Sequence, residues 1–251
     1  MQALHPISRA LPDLKDGLAC GREKQPTPSG NATHGRNGGV SLEKLQHLKE
    51  RICSFENLYA AYEDAAKEKH YREDVLAFTF NLEENLFDLQ KDLLDGTYTV
   101  GPYREFYVKY PKPRLIMALG FRDRVVQWAI YRQLNPYADK RFIQHSYGCR
   151  KNKGTLPAAR CLLNWVQLIS RKPDARDWVL IKCDVSKYFY RVDHKIALDV
   201  YRDYTDDEWF LRLMSVILNN PDVPFGLPPG ASTVITWCSG MEKISCRELS
   251  A

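Results

Sequence analysis

The sequence predicts an α+β fold, helical in its N-terminal part and acquiring short strands further on. Three observations carry that expectation. Leu76, Leu82, Leu86, Leu89, Leu93 and Leu94 recur at helical spacing and form one apolar stripe. From Thr97 the period changes, and Tyr98, Val100, Tyr103, Phe106 and Val108 suggest strands. A third run, Val179-Leu180-Ile181, reads as a short apolar strand that delivers a carboxylate, Asp184, at its exposed end. Strand ends in open sheets hold a side chain outside the core on a fixed backbone, which is where ligand chemistry gathers. Taken alone, Asp184 is also compatible with capping the following turn.

A chain of 251 residues is long enough for a real core and for one or two domains. Its seven cysteines are an odd number without a Cys-x-x-Cys spacing. That argues against a disulfide framework or a zinc site and fits a reducing compartment. No apolar run approaches the ~20 residues of a membrane span. No apolar core follows basic residues at the N-terminus, so no secretory signal is read. A cytoplasmic location and no membrane partner are expected.

Residues 1–40 are poor in large apolar groups and rich in breakers, as in Gln25-Pro-Thr-Pro-Ser-Gly-Asn and Gly35-Arg-Asn-Gly-Gly. Such a composition buries too little surface to offset ordering entropy, so a flexible leader is expected, with His34 a solvated loop residue. Residues 41–96 form an N-terminal helical region. Ser41 caps a helix through Leu42, Leu45 and Leu48, and a second helix holds Leu58, Tyr59 and Tyr62. The leucine stripe makes the third, ended by Asp95-Gly96 because glycine suits the left-handed position past a helix end.

Residues 97–175 begin with a hairpin that turns at Pro111-Lys-Pro-Arg and returns through Arg114-Leu-Ile-Met-Ala-Leu. A helix from Phe121 follows, with Val125, Trp128 and Ala129 inward. Then come the basic loop Ser146-Tyr-Gly-Cys-Arg-Lys-Asn-Lys-Gly and a helix from about Leu156 to Ser170. Residues 176–230 carry the Asp184 strand, helices near 193–202 and 206–219, and a Pro/Gly loop over 221–232. Residues 231–251 read as an aberrant tail.

Charge is concentrated in the middle. Residues 101–160 hold thirteen Lys/Arg and three Asp/Glu, a net of +10, so the rest of a chain whose net charge is +5 sums to −5. Clustered cations interleaved with Tyr, Phe and Trp suit a phosphate backbone, which asks for neutralisation and stacking faces. The competing reading is that these arginines pair with acids from elsewhere in the chain. A membrane surface fits less well, because the segment lacks one long basic amphipathic helix.

Four blocks occur in order: Lys112-Pro-Arg-Leu-Ile, Phe121-Arg-Asp-Arg-Val-Val-Gln, Ser146-Tyr-Gly-Cys-Arg-Lys and Asp184-Val-Ser-Lys-Tyr-Phe. Together they resemble bacterial reverse transcriptases, the RNA-directed DNA polymerases of group II introns, retrons and diversity-generating elements, over roughly residues 73–230. The resemblance implies a right-hand polymerase, with fingers over 97–175 and a partial palm over 176–230. It implies that Asp184 ligates catalytic Mg²⁺ with help from the Val185 carbonyl. Phe189 would gate the sugar of an incoming dNTP, and Lys112 and Arg114 would grip its triphosphate. Arg124, Arg150, Lys151 and Lys153 would hold an RNA template and a DNA primer. The implied chemistry is attack of a primer 3′-oxygen on the α-phosphate between two metals.

The chain also departs from the pattern. Tyr204-Thr205-Asp206-Asp207 has the letters of the family's second catalytic block, yet it lies before the glycine-proline loop and leads into Glu208-Trp-Phe-Leu-Arg-Leu-Met. It reads as a helix start, with Thr205 as cap and the acids in the positive first turn. Gly226-Leu-Pro-Pro-Gly230 resembles the Gly-x-Pro-x-Gly block under template and nucleotide, with Pro229 where the family often has Gln. Beyond Gly230 the resemblance stops. A second carboxylate pair and a thumb are absent from the sequence, so the chain alone is expected not to polymerise. The alternative is a non-catalytic nucleic-acid-binding module of the same fold.

Overall fold

Helices occupy the chain up to Gly96, and local chemistry sets most of their ends. In the computed structural model, residues 43–110, 113–186, 188–220 and 226 are described, with Arg114, Phe189 and Tyr190 described by their backbone. The leader with His34, Ser41, Leu42, Lys112, residues 227–230 and the tail 231–251 lie outside the described residues.

The first four helices are α1 (Leu48–Cys53), α2 (Phe55–Ala66), α3 (Glu73–Phe80) and α4 (Leu82–Asp95). Ser54 ends α1 and caps α2, its hydroxyl accepting from the Asn57 amide at 3.2 Å. α4 stops on Gly96 at φ 73, the left-handed cap expected there. Two expectations change. α1 starts at Leu48 because the backbone of Leu45 is taken by a distant segment. Its amide donates to Tyr204 O at 2.8 Å, and its carbonyl accepts from Thr205 Oγ1 at 2.6 Å. The leucine stripe is two helices, broken at Asn81 (φ −118, ψ 50). Asn85 of α4 donates its side-chain amide to Phe78 O at 2.9 Å and closes the end of α3. The break turns Leu76 outward (54% exposed) while Val75, Leu86, Leu89 and Leu93 are buried; Leu94 is also exposed.

β1 (Arg104–Val108) and β2 (Arg114–Ala118) pair antiparallel, with Arg104 opposite Ala118 and Val108 opposite Arg114, as the hairpin expectation required. Then come α5 (Phe121–Asp139), α6 (Thr155–Ser170), a 3-10 turn at Ala175–Asp177, α7 (Tyr188–Arg191), α8 (His194–Arg202) and α9 (Glu208–Leu218). The core lies where α2 packs along α5, with α1 wedged among α2, α4, α5 and α9. Leu48, Ile52, Leu58, Leu89, Leu134 and Phe210 are fully buried there, each contributing ~1.5–3 kcal/mol by leaving water. Asn57 clips α2 to α5. Its amide donates to Ile52 O and Ala129 O at 3.0 and 3.1 Å and its oxygen accepts from Gln133 Nε2 at 2.7 Å.

The Asp184 strand does not form. Residues 178–186 carry no regular secondary structure, and Val179, Leu180 and Ile181 are 81, 74 and 77% exposed. An apolar run satisfies the hydropathy of a strand, but a strand also needs a neighbour for its amides and carbonyls. Among the described residues β1–β2 is the only sheet. α6 forms as expected, with no residue buried.

Burial pushes the Cys53 thiol from 9.0 up to about 12, a rise that Lys49 partly opposes. The folded state therefore holds this proton more tightly than the unfolded chain. The associated stability is complete below about pH 9 and is lost as pH rises toward 12. Urea unfolding is expected to show stability falling above pH 9, with Cys53→Ala flattening the first part of that decline. A decline from pH 9 to 10 of equal slope in both proteins contradicts this.

Candidate nucleic-acid and nucleotide interface

The base of the basic hairpin is set by a buried carboxylate that the sequence reading did not single out. Asp123, in the first turn of α5, is 4% exposed. It accepts from the Tyr98 hydroxyl at 2.8 Å and from the Gly101 amide at 3.1 Å. A Cβ at Gly101 would stand 3.1 Å from Asp123 Oδ2, so the chain has glycine where backbone meets carboxylate. Burial, then the Asp123 charge, push the Tyr98 hydroxyl well above its usual range. The strand entering β1 is thus pinned to the start of α5. The visible signal was an acid between two arginines, Arg122-Asp123-Arg124, inside a segment poor in acids.

The cations of the middle segment are less free than their number suggests. Arg122 pairs with Asp92 at 2.5 Å, Arg124 pairs with Asp74, and Arg132 pairs with Asp64. These carboxylates sit on α4, α3 and α2, so acids outside the segment fold onto it. Arg124 is largely buried; burial lowers its guanidinium pKa, Asp74 opposes that shift, and its Nε has no partner among the described residues. Arg150 pairs with Asp139 at 2.6 Å and donates to the carbonyls of Ile143, Ser146 and Asp139 at 3.0–3.3 Å. It braces the loop after α5. Lys153 donates to Gln144 O at 2.9 Å and lies 5.0 Å from the Tyr147 ring centre. Lys151 is exposed at the loop surface. The predicted contacts thus divide into Arg124 and Arg150, engaged by carboxylates, and Lys151, open to solvent. Arg114 opens β2 next to the hairpin turn.

Asp184 is exposed, and no hydrogen bond or ion pair to it occurs among the described residues. A turn-capping aspartate would accept a nearby amide; among the described residues none donates to this one. Val185, 61% exposed, follows it and opens a cavity of about 320 Å³, lined also by Ser186, Tyr188, Arg191, Asp193 and Ile196. Its size is at the small end of ligand pockets. Phe189 lies in α7, which forms part of this cavity's wall through Tyr188 and Arg191. Among the described residues no group of three His, Cys, Asp or Glu stands close enough to hold a metal ion. One exposed carboxylate and a carbonyl do not fit a pair of Mg²⁺ ions, which need several placed oxygens.

A mainly helical α+β chain with a small antiparallel hairpin ahead of a long helix is a distant reverse-transcriptase-like fold, as its solved neighbours show. Two are a partial Cas6-RT-Cas1–Cas2 complex and a Cas6-RT-Cas1–Cas2 complex. Each matches at a TM-score of 0.52 and 18% identity over 82% of this chain, covering 35% and 22% of the respective partner chains. The chain is also 30% identical over 147 residues to Protein YkfC of Escherichia coli strain K12, which covers 57% of this chain and 38% of that protein. It therefore spans well under half the length of that curated relative. No family model matches. Among the described residues, no helix is long and apolar enough to cross a membrane.

Proposed function

We propose that this chain is a reverse-transcriptase fragment that binds RNA template and DNA primer through its fingers-like region and does not polymerise by itself. The observation that supports it most is the reverse-transcriptase-like fold over 82% of the chain. In this reading Lys112, Arg114 and Lys151 meet phosphates, while Arg150 braces the loop that carries Lys151 and Arg124 ties α5 to α3. The pocket beside Val185 takes the sugar and base of a dNTP, with Phe189 at its edge. Asp184, directly before Val185 in the chain, is an exposed carboxylate, and Asp193 lines the pocket. The donor set does not fit paired Mg²⁺, so no catalytic step is assigned to this chain alone.

Anisotropy with a labelled RNA–DNA template–primer tests the reading. Binding is expected at low salt, weakening with a log–log salt slope of about −2 to −3 for some three phosphate cations. Arg114→Ala and Lys151→Ala are each expected to lower that slope by about one. Primer extension with Mg²⁺ and dNTP is expected to give no product. Absence of salt-dependent binding overturns the nucleic-acid reading, and processive extension overturns the inactivity.

A further inference from the structure

The main chain of residues 178–186 is left without partners. Trp178 is extended (φ −84, ψ 136), and Val179, Leu180 and Ile181 are exposed. Among the described residues no hydrogen bond reaches an amide or carbonyl of 178–186. An apolar run with open amides and carbonyls is a template for another strand. Trp178 at its start is already fixed. The indole donates to Asp174 Oδ2 at 3.0 Å, and Lys172 Nζ lies 4.3 Å from the ring centre.

The residues around Leu180 complement themselves. Two copies paired antiparallel about Leu180 set Val179 opposite Ile181, Trp178 opposite Lys182 and Arg176 opposite Asp184, each twice by symmetry. Arg176 is exposed in the 3-10 turn just before the run, and its side chain is long enough to reach past the last ladder pair. These are favourable combinations: branched apolar pairs, a cation at an aromatic ring, and an ion pair. Other registers lose them. An axis at Val179 sets Lys182 against Arg176 and Ile181 against Asp177. An axis at Ile181 leaves Asp184 opposite Trp178, and one at Lys182 opposes two lysines. Parallel in-register pairing stacks Lys182 on Lys182 and Asp184 on Asp184. Charge therefore selects one arrangement, since like charges directly opposite are destabilising.

We propose that residues 176–184 are a self-association surface, where a second copy of this chain adds an antiparallel strand about a two-fold axis through Leu180. The association needs neither nucleic acid nor nucleotide.

Sedimentation velocity of the full chain tests this. A two-stranded ribbon is marginal by itself, so a monomer–dimer equilibrium with Kd on the order of 10–100 µM is expected. Asp184→Arg and Arg176→Asp each put like charges opposite one another at two places. Each is expected to weaken the dimer about tenfold. The variant carrying both changes restores opposite charges and is expected to return to within about twofold of wild type. Both positions are exposed, so helical circular dichroism stays at the wild-type level. Hydrogen exchange in peptides over 178–184 is expected to slow as the dimer fills. A chain that stays monomeric up to about 300 µM overturns the proposal and leaves this edge to a different partner. A dimer indifferent to both single reversals overturns it too, as does open-ended assembly in place of a dimer.

Discussion

Asp207→Ala is expected to cost about 3 kcal/mol of stability, while Asp206→Ala changes it by no more than ~0.5 kcal/mol. One Asp207 carboxylate serves two helix starts. Oδ1 accepts from the Trp209 and Phe210 amides of α9 at 3.0 and 3.2 Å, and Oδ2 accepts from the Leu48 amide of α1 at 3.0 Å. α1 has no side-chain cap of its own; His47 at its N-cap is left-handed at φ 55. Two positive helix ends therefore converge on one negative charge. Loss of a cap costs ~0.5–2 kcal/mol, and an amide left without its acceptor adds ~1–3 kcal/mol. Asp206 is 67% exposed and makes a surface ion pair with Lys44 at 2.5 Å, worth little in water. Urea unfolding of both variants measures the asymmetry. A catalytic Tyr-x-Asp-Asp pair predicts no such difference in stability, so equal losses would sink the capping account.

Asp123→Ala is expected to be about as costly, again ~3 kcal/mol, and to loosen the hairpin locally. A buried donor, the Tyr98 hydroxyl, and a half-buried one, the Gly101 amide, lose a charged acceptor, each bond being worth ~1.5–3 kcal/mol. Relief from holding a buried carboxylate offsets part of that sum. Circular dichroism with urea gives the stability, and hydrogen exchange of 97–118 gives the location. Loss of stability without faster exchange in the hairpin would show that Asp123 holds α5 and not the hairpin base.

Elements whose chemistry is local were legible in the residues. The hairpin, the helix from Phe121 and the stop at Gly96 each carry their signal within a few positions; the last helix was expected with Thr205 as its cap, and Asp207 caps it instead. Thr205 shows where that approach fails. Its hydroxyl suits a cap, but it donates to Leu45 O across 160 residues and is fully buried. The break at Asn81 lacks a proline or glycine, and it exists because α3 and α4 must each face the core. For the candidate site, the sequence pointed to the basic loop around Lys151 and put Asp184 at the end of an apolar strand, where the structure has an exposed stretch without regular secondary structure. It missed Asp123, whose role depends on partners that sequence distance hides.

By itself the sequence determined the hairpin, most of the helices and the concentration of positive charge. Those follow from hydropathy period, breaker residues and composition, which are properties of neighbouring positions. Only the tertiary structure decided that acids on α2, α3 and α4 claim Arg132, Arg124 and Arg122, and that Val179–Ile181 stays unpaired among the described residues. Ion pairs and strand ladders are made between distant segments. Their existence depends on which surfaces the packed core brings within about 4 Å of one another.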